Sequence, residues 1–293
     1  MKNPKISAVI PVFNGGETLE KCLSSILSQT YRNYEVIAVD NNSTDKTKEI
    51  IERFSRQNKK VRYIFEPFRS RGAARNAGIR AAHGKIIAMT DSDCIIPKNW
   101  LFELTKPIRE EYAKITMGYE KDVIQSYSTR QIQRANKEFL RQFVLGEYIR
   151  HLDTKNFAIL TSLAKKIMFD SMIFNLEDVD FYLRSRKHAH IKFIPDVRVG
   201  HHHKSTVLKA ARLNFNRGYW IYKIFRKHYS LDESIGKEII FSGISFKSYL
   251  FYPKWIVSEL FRKPISESYF NIIFDCGWRL GVLKGYLERN FLL

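Results

Sequence analysis

A chain of 293 residues has room for one large domain, or for one domain with an appendage. Its 44% of apolar residues excludes a disordered chain, and three cysteines, odd in number and without C-x-x-C spacing (Cys22, Cys94, Cys276), suggest neither a disulfide framework nor a zinc site. The net charge of +19 suits a nucleic acid, an anionic membrane surface or a phosphate-bearing substrate, and composition alone does not choose among them.

Along the chain, strand and helix patterns alternate. Ile6 to Phe13 is β-rich, is interrupted at Pro11 and Asn14, and reads as neither a signal peptide nor a spanning helix. Leu19, Cys22, Leu23, Ile26 and Leu27 have the spacing of an amphipathic helix. Tyr34 to Val39 is a second strand, ending at Asp40-Asn41-Asn42-Ser43. Ser43 or Thr44 is expected to cap a helix whose inner face is Ile50, Ile51 and Phe54. Val61 to Phe65 is a third strand, Ser70 to Ala82 a small-residue helix, and Lys85 to Thr90 a fourth strand. Helices of this length between strands imply a largely parallel sheet.

Farther on, a long polar helix is expected from about Ser126 to Arg150, then a short strand at Asn156 to Leu160 and a helix from Glu177 to about Lys187. Two brief strands, Ile191 to Ile194 and Val197 to Val199, precede His201-His202-His203. Residues 204–293 turn aromatic and basic and read as a helical appendage. There Gly277, Gly281 and Gly285 form one smooth stripe suited to close helix packing, for instance between subunits. Ile272 to Leu287 is interrupted by Asp275, Arg279 and Lys284, so no clean transmembrane segment is expected.

In sheets of this kind ligands bind at the carboxyl ends of the strands. Three polar clusters fall there: Asn14-Gly15-Gly16, Asp40 to Ser43, and Asp91-Ser92-Asp93. Each alone reads as an ordinary turn; three on one edge point to a site. Two carboxylates at a bend after a strand suit Mg²⁺ or Mn²⁺ held beside a diphosphate, where the cation stabilises a departing nucleoside diphosphate. Taken as residues only, Glu177, Asp178 and Asp180 read as the acidic first turn of a helix.

A set of segments in one order carries a resemblance. Ile10-Pro11-Val12-Phe13-Asn14, Ser28-Gln29-Thr30-Tyr31, and Val39-Asp40-Asn41-Asn42-Ser43-Thr44-Asp45 come first. Arg71-Gly72-Ala73-Ala74-Arg75-Asn76-Ala77-Gly78, Asp91-Ser92-Asp93 and Glu177-Asp178-Val179-Asp180 follow. Over about residues 5–205 the chain resembles a family-2 glycosyltransferase with the α/β GT-A nucleotide-diphospho-sugar transferase fold. The resemblance implies a mostly parallel central sheet flanked by helices, a catalytic domain over 1–205, and a separate extension over 206–293.

It also implies an inverting, metal-dependent transfer of a sugar from a nucleotide-diphosphate sugar to an acceptor hydroxyl or phosphate, with Mg²⁺ or Mn²⁺ as cofactor. Pro11, Val12, Phe13 and Asn14 would line the nucleoside pocket, and Asp40 would contact base or ribose. Asn41 stands where many members carry a second acid. Arg71 would approach the donor diphosphate; Arg75 would contact the donor or brace its loop. Asp91 and Ser92 would lie against the donor, Asp91 touching the ribose with the metal in reach, and Asp93 would hold the metal. Asp178 would be the general base. His201 would add a metal ligand, with His203 the next choice, and Asp153-Thr154-Lys155-Asn156 resembles an acceptor-side segment.

The extension over 204–293 carries fifteen Lys or Arg against seven Asp or Glu. Interleaved with aromatics, it is expected to attach to the face of an anionic membrane, with a lipid-linked acceptor, or else to pack on the catalytic domain or a second copy. A cytoplasmic location, peripheral on the membrane, is the expectation. Nucleic-acid binding would explain the charge but not the carboxylate edge and is not expected. A dinucleotide-dependent oxidoreductase lacks its G-x-G-x-x-G at Asn14-Gly15-Gly16-Glu17. The alternatives left open are a sugar-nucleotide-binding protein without transferase activity and a nucleotidyltransferase.

Overall fold

Strand β1 (Ile6–Val12) is buried on both faces, as a strand in the middle of a parallel sheet must be. In the computed structural model it pairs in parallel with β2 (Tyr34–Asp40) and with β4 (Ile86–Met89), and β2 pairs in parallel with β3 (Val61–Phe65). Helices α1 (Leu19–Leu27), α2 (Thr47–Gln57) and α3 (Arg71–Ala81) link these strands. The structure describes residues 1, 3–123, 127–201, 206–229, 252–262 and 265–288. They fall into two units, Met1–Gln125 with Ala135–His203, and Ser126–Arg134 with Lys204–Leu293.

The rest of the first unit widens the sheet. After β5 (Cys94–Ile95) and α4 (Trp100–Arg109) come β6 (Ile115–Asp122) and α5 (Tyr127–Arg141), of which the residues up to Arg134 are assigned to the second unit, then the hairpin β7 (Val144–Leu145) and β8 (Tyr148–Ile149), and β9 (Phe157–Leu160). Then follow α6 (Thr161–Ile167), α7 (Glu177–Ser185) and β10 (Ile191–His201). The strand order is β3-β2-β1-β4-β9-β6-β10-β8-β7, with β5 paired to β10. β9 runs antiparallel to both β4 and β6, while β6 and β10 are parallel, so the sheet is mixed but mostly parallel at its centre.

Alternate residues feed two cores, one per face. Ile6, Ala8, Ile10 and Val12 meet α1 and α4 through Leu23, Ile26, Trp100 and Leu104. Val9, Ile37 and Val39 meet α3 and α7 through Ala74, Ala77 and Phe181. The Ala and Gly content of α3 follows from this packing: a Cβ at Gly78 would lie 2.3 Å from Val9 Cγ1. Trp100, fully buried, donates from its indole to Asn156 Oδ1 at 2.8 Å, and Asn156 in turn donates to the carbonyls of Tyr119 and Val197.

Three expectations are corrected. The helix expected to reach Arg150 ends at Arg141, where Gly146, at φ +58°, turns a hairpin whose Ile149 is buried. The two brief strands after Ile191 are one strand, with its register shifted between Ile194 and Arg198 around Pro195, which has no N–H to give the ladder. Helix α2 starts at Thr47 without a Ser43 or Thr44 cap, because Asp45 accepts from the Thr47 amide and hydroxyl and closes the turn itself.

In the second unit lie α8 (Val207–Tyr229), α9 (Tyr252–Arg262) and α10 (Ile265–Leu287). The glycine stripe of α10 is taken up within the chain. Gly277, Gly281 and Gly285 face the backbone carbonyls of Ala211, Phe215 and Tyr219, while Gly218 faces that of Trp278. The pairing advances in the same direction on both helices, so α8 and α10 run parallel at close approach, and the expectation that this stripe joins subunits is corrected. Among the described residues no helix is long and apolar enough to cross a membrane.

An exposed Gly→Ala change inside a helix ordinarily stabilises by about 1 kcal/mol. Gly281→Ala should do the reverse, since its Cβ would stand 1.9 Å from Phe215 O. A loss of about 1–3 kcal/mol in denaturant unfolding is expected from forcing the helices apart. A raised unfolding midpoint would show that α8 and α10 are not packed on this stripe.

Candidate active site

The turn after β1 and the loop after β2 are stitched together. Three successive amides, those of Asn14, Gly15 and Gly16, donate to Ser43 Oγ, Thr47 Oγ1 and Asp45 Oδ2 at 3.0, 2.9 and 2.8 Å. Asn14 returns the bond by accepting from the Thr44 amide, and its φ of +49° is one that Asn tolerates. Asp40 is buried at the end of β2, accepting from the Ser43 amide and the Tyr63 hydroxyl. Asn41 donates both amide hydrogens, to the carbonyls of Glu66 and Phe68, which leaves Oδ1 as the group's acceptor. Val12 turns its side chain into the core, and its carbonyl accepts from the Asn41 amide. Phe13 is exposed, with the Arg69 guanidinium 4.4 Å from its ring centre.

Asp91, Ser92 and Asp93 occupy the bend between β4 and β5, half-buried, close enough to the first turn that a Cβ on Gly15 would lie 3.4 Å from Ser92 Oγ. Pairing of β5 with β10 sets His201 opposite Cys94, and His201 Nε2 then lies 3.1 Å from Asp93 Oδ2. Its other nitrogen, Nδ1, is 3.6 Å from Glu120 Oε2 on β6. Lys155 Nζ, on the turn before β9, bridges Glu120 at 2.8 Å and Asp153 at 3.0 Å. Burial alone would push the Asp93 carboxyl up and the imidazolium of His201 down; their mutual hydrogen bond outweighs it, so Asp93 titrates below and His201 above the ordinary value.

Arg75, 3% exposed on α3, bridges the two halves. Its Nη2 is 3.2 Å from Asp91 Oδ1, and its Nη1 is 2.5 Å from Glu177 Oε1, itself 4% exposed at the start of α7. The next residue is Asp178. Its carboxyl is pushed up to about 7, first by burial and then by the charges of Glu177 and Asp153, against the pull of Arg75 and Lys155. Leu176, just before α7, sits at φ +60°, a left-handed conformation that costs a branched residue about 1–3 kcal/mol.

The candidate residues read from sequence thus divide. Asp91, Ser92, Asp93 and His201 meet at one bend, and Asp178 adjoins it through Glu177 and Arg75. Both terminal nitrogens of Arg75 are taken by carboxylates, whereas Arg71, at the first position of α3, is exposed. Pro11, Phe13, Asn14, Asp40 and Asn41 line the neighbouring strand ends. His202 and His203 lie outside the described residues. Glu120 and Arg69 were not singled out from sequence, and Lys155 was read only as part of an acceptor-side segment, not as the partner of Glu120. An acid late in a strand carries no motif of its own, and only the register of β6 beside β10 brings Glu120 to His201.

The bend suits a divalent cation shared with a ligand. Asp93 and His201 present one hard oxygen and one imidazole nitrogen toward each other, donors that Mn²⁺ accepts and that Mg²⁺ accepts in part. Among the described residues no three acids, histidines or cysteines form a cage, so phosphate oxygens would have to complete the coordination.

Comparison with known proteins gives the same frame. Glycosyltransferase GlyG of Streptococcus pneumoniae is 39% identical over 114 residues, 39% of this chain and 38% of GlyG. The Campylobacter jejuni GalNAc(5)-diNAcBac-PP-undecaprenol beta-1,3-glucosyltransferase is 25% identical over 184 residues, 59% of this chain and 56% of that enzyme. The chain spans well under two thirds of the first curated relatives it matches, at 38%, 16% and 33% of their lengths. Among solved structures, the mannosyltransferase PcManGT of Pyrobaculum calidifontis, in complex with GDP-Man and Mn²⁺, superposes with a TM-score of 0.70 at 16% identity, over 98% of this chain and 88% of that one. The fold is therefore GT-A, and with residues 7–168, more than half of its length, matching Glycosyl transferase family 2, the protein belongs to that family.

Proposed function

We propose that the protein transfers a sugar from a nucleoside-diphosphate donor to an acceptor hydroxyl, with inversion at the anomeric carbon. The observation that carries this reading is the buried Arg75 bridge, which holds the Asp91–Asp93 bend and the Asp178 turn side by side. The acceptor oxygen attacks the anomeric carbon as the bond from that carbon to the diphosphate oxygen breaks, and Asp178 takes the hydroxyl proton. A carboxyl near 7 is matched to that task at neutral pH. Asp40, Asn41 and the turn after β1 face the nucleoside; Asn41 Oδ1 suits a base that offers a ring N–H. Arg71 attends the diphosphate, and Arg75 acts as a positioning residue rather than a donor contact.

Asp93 with His201 would hold Mg²⁺ or Mn²⁺, which neutralises charge on the departing diphosphate. Local charge supports this: six acids, Asp91, Asp93, Glu120, Asp153, Glu177 and Asp178, gather around the cations of Arg75 and Lys155 and the imidazoles of His201 and His151, so a cation accompanying an anionic donor would be favoured. The lipid-linked acceptor of the Campylobacter relative supports an acceptor of the same chemistry here.

The direct test is nucleoside-diphosphate release across a panel of nucleotide sugars with and without Mg²⁺ or Mn²⁺; no release with any donor in the presence of lipid-linked and soluble acceptors would count against transfer. Asp178→Asn should lower kcat by about 10²–10⁴-fold while donor affinity, measured by calorimetry, stays within about twofold of wild type. Wild-type turnover in that variant would remove Asp178 as base.

Because Asp178 works only when ionised, kcat should rise with pH and level off above about 7. The charge of Glu177 helps to push that carboxyl up, so Glu177→Gln should move the limb toward acid by about half a pH unit or more. An unmoved limb would mean that another group titrates. Chelation should abolish turnover and added Mn²⁺ restore it, whereas Asp93→Ala should weaken Mn²⁺-dependent donor binding by at least roughly tenfold. Full Mn²⁺ stimulation in that variant would argue against Asp93 as ligand.

A further inference from the structure

Helix α9 has two unlike sides. Its one acid, Glu259, is buried toward α10, where Oε1 accepts from Asn271 Nδ2 at 2.6 Å and the Glu259 carbonyl accepts from Ser268 Oγ at 2.9 Å. The other side is apolar and exposed: Phe261 at 88%, Val257 at 52% and Leu260 at 47%. At about 100° per residue, Lys254, Val257 and Phe261 fall within about 60° of one another, with Leu260 on one flank and Arg262 and Trp255 on the other. Lys254, Trp255 and Arg262 are exposed as well.

An apolar strip bordered by cations and an aromatic ring, with its acid facing inward, complements a layer of anionic headgroups over acyl chains. A second protein surface would be expected to find acids or several hydrogen-bonding groups on such a face; here the one acid, Glu259, and the Tyr252 hydroxyl are bonded to α10, and Ser258 and the Trp255 indole remain besides the cations. The same unit carries α8, with six Lys or Arg and no acid. We propose that the exposed side of α9 seats the protein on an anionic lipid bilayer, the helix lying in the headgroup layer with Phe261, Val257 and Leu260 toward the acyl chains. This goes beyond the transfer reading and does not rest on it.

The test is flotation of the full chain with vesicles of phosphatidylcholine alone and with phosphatidylglycerol added. Binding is expected to the anionic vesicles and to weaken as salt is raised. The double variant Val257→Asp/Phe261→Asp should lose binding by at least roughly tenfold while its circular dichroism and melting midpoint match wild type, since the altered side chains are exposed. Lys254→Glu/Arg262→Glu should weaken binding by roughly fivefold or more per removed cation. Equal flotation of wild type and the Asp variant would overturn the proposal, as would equal binding to neutral and anionic vesicles. So would a concentration-dependent dimer, broken by the Asp variant, in a protein that does not float. The readout is binding, so neither result bears on Asp178 as base.

Discussion

Arg75 pairs with Glu177 almost wholly out of solvent and with a half-buried Asp91, and the two pairs hold together residues far apart in the chain. Desolvating an arginine and a glutamate costs several kcal/mol per ion, and their attraction roughly repays it. Such a bridge adds little net stability, yet removing one partner strands a buried charge at a cost of about 3–5 kcal/mol. What it supplies is position. Asp91 and Glu177 would repel one another if brought together alone; with the guanidinium between them, the bend after β4 and the first turn of α7 are fixed at one spacing. Asn76, the next residue on α3, works toward the same end by exchanging hydrogen bonds with both backbone groups of Phe169, whose ring stacks on Phe181 of α7. A helix of Ala and Gly is needed because only close approach to the sheet, as at Gly78 against Val9, brings these two short-range partners into reach.

Much of this was legible before any coordinates. The strands β1 to β4 and their helices follow from period-two and period-3.6 patterns that agree with their turns, and the acids at strand ends announce an edge with a site. The misreadings fall where a local device overrides a pattern: Gly146 turning a hairpin out of what reads as helix, Pro195 bulging a strand that reads as two, Asp45 closing its own turn. The site divides along the same line. Residues carried by motifs, such as Asp91, Asp93 and Asp178, could be named. Glu120 could not, and Lys155 was placed in an acceptor-side segment without its partner, because strand register and the pairing of the two have no sequence signature.

The glycines of α10 show the converse. Their spacing was plain, but a stripe of small residues states only that something comes close, not what. The partner is α8 of the same chain, running parallel, and the carbonyls of Ala211, Phe215 and Tyr219 fill the space that side chains would otherwise occupy.

The charge of the whole protein and the charge of its candidate site have opposite signs. A surplus of +19 first suggests a pocket that draws in phosphate, yet the side chains at the bend are mostly carboxylates. Electrostatic attraction of the donor by the site itself therefore cannot explain the surplus. The acids instead serve two nearby demands: Asp93, held ionised by His201, suits a cation, while Asp178, crowded by Glu177 and Asp153, keeps its proton until near neutrality. Residues 204–293 hold fifteen of the 49 basic residues against seven of the 30 acids, a denser excess than the rest of the chain carries. Within that stretch the exposed side of α9 matches the proposed anionic bilayer, a partner that would draw on positive charge the candidate site does not use.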